Sequence, residues 1–232
     1  MNNDFSNESK NYFYRNYYKK DLLKLEPNLY LKNILDGFNI LNKSFLEVGC
    51  GSGNNLNWLS KNFQCDCTGV EPNKEIIDYL KRTYSNINFS YGDISNIPFQ
   101  NNFFDVVISR SVLHWVNRNK ILQSLGELIR VSKKYIIISD FYPKDPFKIK
   151  YKHKKNFYTF HIDYIPILIS TGIIEIVKEN IGRIVVENNS DTFKKVNEEE
   201  WESGKYDYDI VKTTLLRKNF TNLTEKKESD FK

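Results

Sequence analysis

A doubly wound α/β sheet, mostly parallel with an antiparallel last strand, is the architecture this sequence predicts. Three observations predict it. From Ser44 onward, short apolar runs alternate with segments whose apolar residues recur at helical spacing. The run at 104–109, Phe-Asp-Val-Val-Ile-Ser, is nearly continuous in apolar residues, as a strand covered on both faces requires. The run at 45–48 passes directly into Gly49, Gly51 and Gly53, and then into apolar residues at Leu56, Trp58 and Leu59. That strand–turn–helix unit is the one that parallel sheets repeat.

The elements follow in order. Residues 1–10 are polar, lack an apolar signal core and are expected to be disordered. Residues 11–25 carry Tyr14, Tyr17, Tyr18, Leu22 and Leu25 at helix-like spacing. Pro27 is expected to open a second helix that buries Leu29, Ile34 and Leu35 and ends at Gly37. This N-terminal segment, 1–43, precedes the first strand and can fold over the sheet as a lid. The body, 44–220, is read as strands at 45–48, 66–70, 87–91, 104–109 and 135–140, separated by helices at 54–62, 73–84 and 118–131.

Beyond the fifth strand the pattern changes. Residues 142–165 are read as an insert, a hairpin of two alternating segments around Lys154, Lys155 and Asn156. A short helix at 165–171, strand material at 173–186 interrupted at Gly182, and an acidic loop at 188–204 follow. A last strand at 206–218 and a fraying charged tail at 221–232 complete the chain.

Composition narrows the function classes. A net charge of +5 over 232 residues permits an anionic partner without demanding one. The three cysteines, Cys50, Cys65 and Cys67, form no disulfide framework and no zinc spacing, which points to a reducing, cytoplasmic setting and no metal. No apolar run approaches the length of a membrane helix.

The glycine turn suggests a nucleotide-like cofactor, and its surroundings refine the expectation. Glu71 closes the second strand twenty residues after Gly51, where a carboxylate can accept from both hydroxyls of a ribose. Gly92-Asp93-Ile94 follows the third strand, pairing a side-chain acceptor with a backbone N–H that together suit an adenine edge. The spacing is G-x-G-x-G with Asn54 where a dinucleotide turn carries its third glycine. Glu47 immediately before it would repel a pyrophosphate and attract an amine or a sulfonium. The sign of that charge favours a cationic cofactor without phosphates.

Four segments, 45–53, 69–72, 92–94 and 104–115, resemble in order the signatures of class I S-adenosylmethionine-dependent methyltransferases, which have a Rossmann-like fold. The resemblance covers 44–140 well and the last third only as topology. It implies that Glu47, Gly49, Gly51 and Gly53 cradle the methionine end of S-adenosyl-L-methionine, and that Glu71 holds the ribose. It further implies that Pro72 packs on the adenine, that Asp93 and Ile94 meet its edge, and that Ser109, Arg110 and Ser111 lie near the methionine.

Methyl transfer to a hydroxyl or amine also asks for an aligned acceptor and a base. The candidates at the carboxyl ends of the strands are His114, Asp140 and Tyr142, with His153 and His161 on the expected hairpin. Each has a plainer alternative: His114 as a packed turn residue, Asp140 as a cap. Lysines at 144, 148, 150, 152, 154 and 155 interleave with aromatic residues. They read either as a solvated face or as recognition of a small anionic acceptor, such as a sugar or nucleotide-sugar of a surface-polysaccharide pathway. The same alternation suits single-stranded RNA, so an RNA methyltransferase is an alternative, although no nucleic-acid module is visible. An NAD-dependent oxidoreductase and a non-catalytic cofactor-binding partner subunit are the alternatives of another class.

Overall fold

In the computed structural model, residues 5–154, 156–187, 190–203 and 210–219 are described. The parallel core is β1 (Ser44–Val48), β2 (Asp66–Glu71), β3 (Asn88–Tyr91), β4 (Phe104–Arg110) and β5 (Ser132–Phe141). Between them run α3 (Asn54–Phe63), α4 (Lys74–Thr83) and α5 (Ile121–Val131). Local chemistry sets these helices. Asn73 caps α4 by accepting from Glu75 N at 3.0 Å and Ile76 N at 3.3 Å, and Lys81 and Arg82 sit at its carboxyl end. α5 buries Ile121, Leu125 and Leu128, the one-face spacing of an amphipathic helix.

The strands are covered on both faces, as the near-continuous apolar runs predict. Phe45, Val106, Ile108 and Ile137 pack into one core with α3, α4 and the N-terminal segment. Their neighbours Leu46, Val107, Ile136 and Ile138 point into a second core with α5. Strand order is β3-β2-β1-β4-β5-β10-β8-β9, where β8 is Ile174–Glu187, β9 is Ser190–Lys195 and β10 is Val211–Lys218. The order reverses between β1 and β4, the place where such sheets leave a crevice at the carboxyl ends of their strands.

The last strand runs antiparallel, as expected, and it lies inside the sheet. β10 pairs with β5 on one side and β8 on the other. The expected break at Gly182 is absent: β8 runs through it. A Cβ there would lie 2.6 Å from both the Lys194 carbonyl oxygen and the Phe193 ring, so glycine serves close packing of β9. The segment read as an acidic loop at 188–204 holds β9 and a short helix, α7 (Glu198–Glu202), closed by a capping box between Asn197 and Glu200. Phe193 is the single apolar residue of β9, so no apolar run marks the strand in the sequence. Residues 204–209 and 220–232, including the expected tail, lie outside the described residues.

The N-terminus also differs from expectation. α1 spans Phe5–Asn16, where disorder was expected through residue 10. Tertiary contacts hold it: Phe13 is buried edge-on against Tyr79 at 5.5 Å, and Lys10 pairs with Glu75 at 2.6 Å. A 3-10 turn at Leu22–Lys24 and α2 (Leu29–Leu35) follow, with Asn28 rather than Pro27 at the helix start, its side chain accepting from Tyr30 N. After β5, β6 (Phe147–Lys150) and β7 (Tyr158–His161) form the expected antiparallel hairpin, and α6 (Ile165–Ile169) leads to β8. No helix among the described residues is long and apolar enough to cross a membrane.

Candidate active site

A cavity of about 390 Å³ opens at the carboxyl ends of β1 and β4, with α1 above it. Its floor is the turn after β1. Gly49 has φ +71°, and a Cβ there would lie 2.5 Å from the Val112 side chain, so the turn closes only with glycine. Gly51, also at positive φ, has no atom within 4 Å of the position a Cβ would take. The backbone there can be approached closely.

Two buried carboxylates stand beside this turn. Glu47 accepts from Asn55 Nδ2 at 2.7 Å through one oxygen, while its Oε2 is buried without a partner. Burial, only partly offset by Asn55 and by the charge of Arg110, pushes its carboxyl up to about 7. Glu71 is likewise pushed up to about 7 by burial, against the pull of Ser9 and Gly51 N–H. Gly51 N donates to it at 3.3 Å, and the Ser9 hydroxyl of α1 donates to its other oxygen. A carboxylate oxygen with no partner in a closed site calls for a donor, and a cation answers it best. The residues present therefore fit a cationic, ribose-bearing cofactor, with Glu47 toward the cation and Glu71 toward hydroxyls.

The other cofactor candidates divide. Pro72, Asp93, Ile94 and Arg110 line the same cavity, as does Ser111. Asp93 Oδ1 accepts from Ser95 N at 2.7 Å and from Ser95 Oγ, which fixes the orientation of that carboxylate. Gly53 and Ser109 do not line it: Gly53 caps α3, and Ser109 is buried in β4 opposite Val48.

Of the five candidate bases, only His114 lines the cavity. Its Nδ1 lies 2.7 Å from Asp140 Oδ1, and the pair is buried. Burial alone would raise the Asp140 carboxyl, but the His114 ring and the N–H groups of Phe141 and His114 outweigh it and hold it low. Asp140 Oδ2 also accepts from Leu113 N at 2.9 Å, tying β5 to the turn that carries His114. With Nδ1 engaged, Nε2 is the nitrogen His114 has left for a bound molecule. Asp140 stands behind it, off the cavity.

The remaining three lie elsewhere. His161 is stacked between Phe141 and Phe147 at 4.0 and 4.7 Å, and burial pushes its ring down to about 4. Tyr142 lies on Trp201, with the Lys212 ammonium 4.1 Å from its ring centre. His153 is exposed on the hairpin loop. Nor does any of Lys144, Lys148, Lys150, Lys152 or Lys154 line the cavity; Lys144 pairs with Glu202, and Lys155 lies outside the described residues.

Several cavity residues escaped sequence reasoning. Glu8, Ser9, Tyr12, Phe13 and Tyr17 come from the N-terminal segment. Glu8 and Arg15, seven residues apart and thus on one helical face, were the available signal. Trp115 and Phe141 also line the cavity, next to residues that were singled out.

Residues 45–135 match a family described as a methyltransferase domain. The chain is 31% identical over 113 residues to malonyl-acyl-carrier-protein O-methyltransferase of Buchnera aphidicola, covering 47% of this chain and 42% of that one. It is 30% identical over 107 residues to a fatty-acid O-methyltransferase of Mycolicibacterium smegmatis, covering 44% and 38%. It spans about two fifths of the length of these curated relatives. In fold it is similar to a SAM-dependent methyltransferase from Methanosarcina mazei, with TM-score 0.60 at 16% identity over 84% of this chain and 99% of that one. Residues 45–135 of this chain thus match a methyltransferase domain, and the Rossmann-like sheet built around them has the fold of a solved SAM-dependent methyltransferase.

Proposed function

We propose that this protein transfers a methyl group from S-adenosylmethionine to an oxygen of a small acceptor bound beside His114. The observation that carries the reading is one cavity lined by the two carboxylates Glu47 and Glu71 and by His114, which Asp140 backs through Nδ1. When bound, the cofactor supplies a methyl group activated by its sulfonium. Glu47 and the Gly49–Gly51 turn would hold the methionine end, Glu71 the ribose hydroxyls, and Asp93 with Ile94 N–H the adenine.

The chain's own residues supply the rest. Asp140 accepts from Nδ1–H of His114 and fixes the tautomer whose Nε2 can take a proton. An acceptor hydroxyl placed there loses its proton to Nε2 as the oxygen becomes a nucleophile. α1 and the rings of Tyr12, Trp115 and Phe141 shield the site from water.

The acceptor class is the finer part of the proposal. Sugar hydroxyls suit a site with a base on its wall. Two relatives are named for acyl acceptors, so carboxyl oxygens belong in the same comparison. Calorimetry with S-adenosylmethionine and NAD, followed by S-adenosylhomocysteine release across sugar, nucleotide-sugar, acyl and RNA acceptors, tests it. Binding of S-adenosylmethionine but not NAD, with turnover on a small oxygen acceptor, is expected. Binding of NAD alone, or turnover on RNA alone, overturns it.

A further inference from the structure

We infer that Glu8 of α1 is an acceptor-specificity residue, selecting molecules that present a hydroxyl or amine hydrogen-bond donor rather than a carboxylate or phosphate. The inference rests on the methyltransferase reading and names the chemistry of its acceptor. Glu8 lines the cavity, yet only 3% of its surface is exposed. Arg15 Nη2 donates to Glu8 Oε1 at 2.8 Å and the Tyr151 hydroxyl lies beside the same carboxylate, while Oε2 is buried and receives no hydrogen bond of good geometry. A buried carboxylate oxygen left without a donor is costly, and the cavity is where a ligand can supply one.

Helix geometry separates Glu8 from the cofactor end. Adjacent helical residues point about 100° apart, so Ser9 and Glu8 serve different neighbours. Ser9 reaches Glu71 on β2. Glu8 turns instead toward Arg15 and Tyr151 of the hairpin, whose hydroxyl accepts from Arg15. Tyr151 in turn meets the Trp115 ring edge-on at 4.7 Å, one residue from His114. Glu8 therefore stands on the His114 side of the cavity. Its partner Arg15 is already engaged by Glu8 and Tyr151, so an anion entering here would meet the carboxylate. Tyr12, Tyr17, Trp115 and Phe141 give the cavity aromatic walls.

Three aromatic molecules of one shape test this: 2-phenylethanol, 2-phenylethylamine and phenylacetate, whose single polar group is a hydroxyl, an ammonium and a carboxylate. Each is titrated by calorimetry into the full chain saturated with S-adenosylhomocysteine. 2-Phenylethanol or 2-phenylethylamine is expected to bind at least about tenfold more tightly than the acid. Glu8→Gln, whose amide can also donate, should shift the preference toward the acid and leave S-adenosylhomocysteine affinity unchanged. Glu8→Ala should lose the preference without gaining the acid, and melting curves confirm that both variants fold. Equal binding of the three, binding of the acid alone, no binding by either donor, or a preference that survives in folded Glu8→Gln overturns the assignment. Failure of S-adenosylhomocysteine itself to bind overturns instead the reading on which it rests.

Discussion

The two ends of the cavity are built by different means. The end proposed to hold the cofactor is made of chain turns: Gly49 and Gly51 after β1, Glu71 and Pro72 closing β2, Asp93 and Ile94 after β3. Each lies within a few residues of the strand that positions it. The end proposed to take the acceptor is assembled from afar: Glu8 from α1, His114 from the turn after β4 and Phe141 from β5 line it, with Asp140 and Tyr151 standing behind them. The difference teaches that one end is fixed by backbone geometry and the other by which separate elements meet above it.

Experiments can break that division. The largest effect is expected at the acceptor end. His114→Ala should lower kcat by about 10²- to 10⁴-fold while leaving S-adenosylmethionine affinity unchanged, measured by S-adenosylhomocysteine release and calorimetry. If affinity falls with kcat, the two ends are one site and the comparison fails. At the cofactor end, Glu71→Ala should weaken S-adenosylmethionine binding by about 1–3 kcal/mol. Unchanged affinity in the folded variant would mean that the ribose lies elsewhere.

Titration sharpens the same contrast. The Glu47 and Glu71 carboxyls, ordinarily near 4.5, are pushed up to about 7 in the folded protein. Between those values the folded state holds protons that the unfolded chain has released, so this contribution to stability is complete below about 4.5 and lost as pH rises through about 7. Melting of the ligand-free protein across that window reads it. A cationic cofactor reverses the sense, because it pairs with the ionised carboxylates. Its affinity should climb as pH passes about 7, and Glu47→Gln should flatten the climb. The smallest effect is expected from the hairpin lysines. Lys148, Lys150 and Lys152 are exposed and lie off the cavity, so replacing all three by alanine should leave acceptor KM within about twofold. A larger rise would extend the acceptor end to the hairpin's outer face.

How much was legible follows the same line. The strands from Phe45 to Asp140 were readable because burial on both faces leaves continuous apolar runs, and helix starts such as Asn73 carry their caps in sequence. β9 was not, because Phe193 is its single apolar residue and the pairing with β8 that holds it is not written in its own composition. α1 was not legible through residue 10, because its first turns are polar and are held by Glu71, Glu75 and Tyr79 in distant elements.

By itself the sequence determined the doubly wound core, the glycine turn and the sign of the charge beside it. These are properties of short segments, where φ, spacing and a carboxylate next to a turn dictate the outcome. Only the tertiary structure decided that His114, among five candidates, reaches the cavity, and that Asp140 stands behind it. Only it placed β10 inside the sheet and drew Glu8 and Ser9 over the mouth. Those outcomes depend on which surfaces are buried together, and burial is set by residues far apart in the chain.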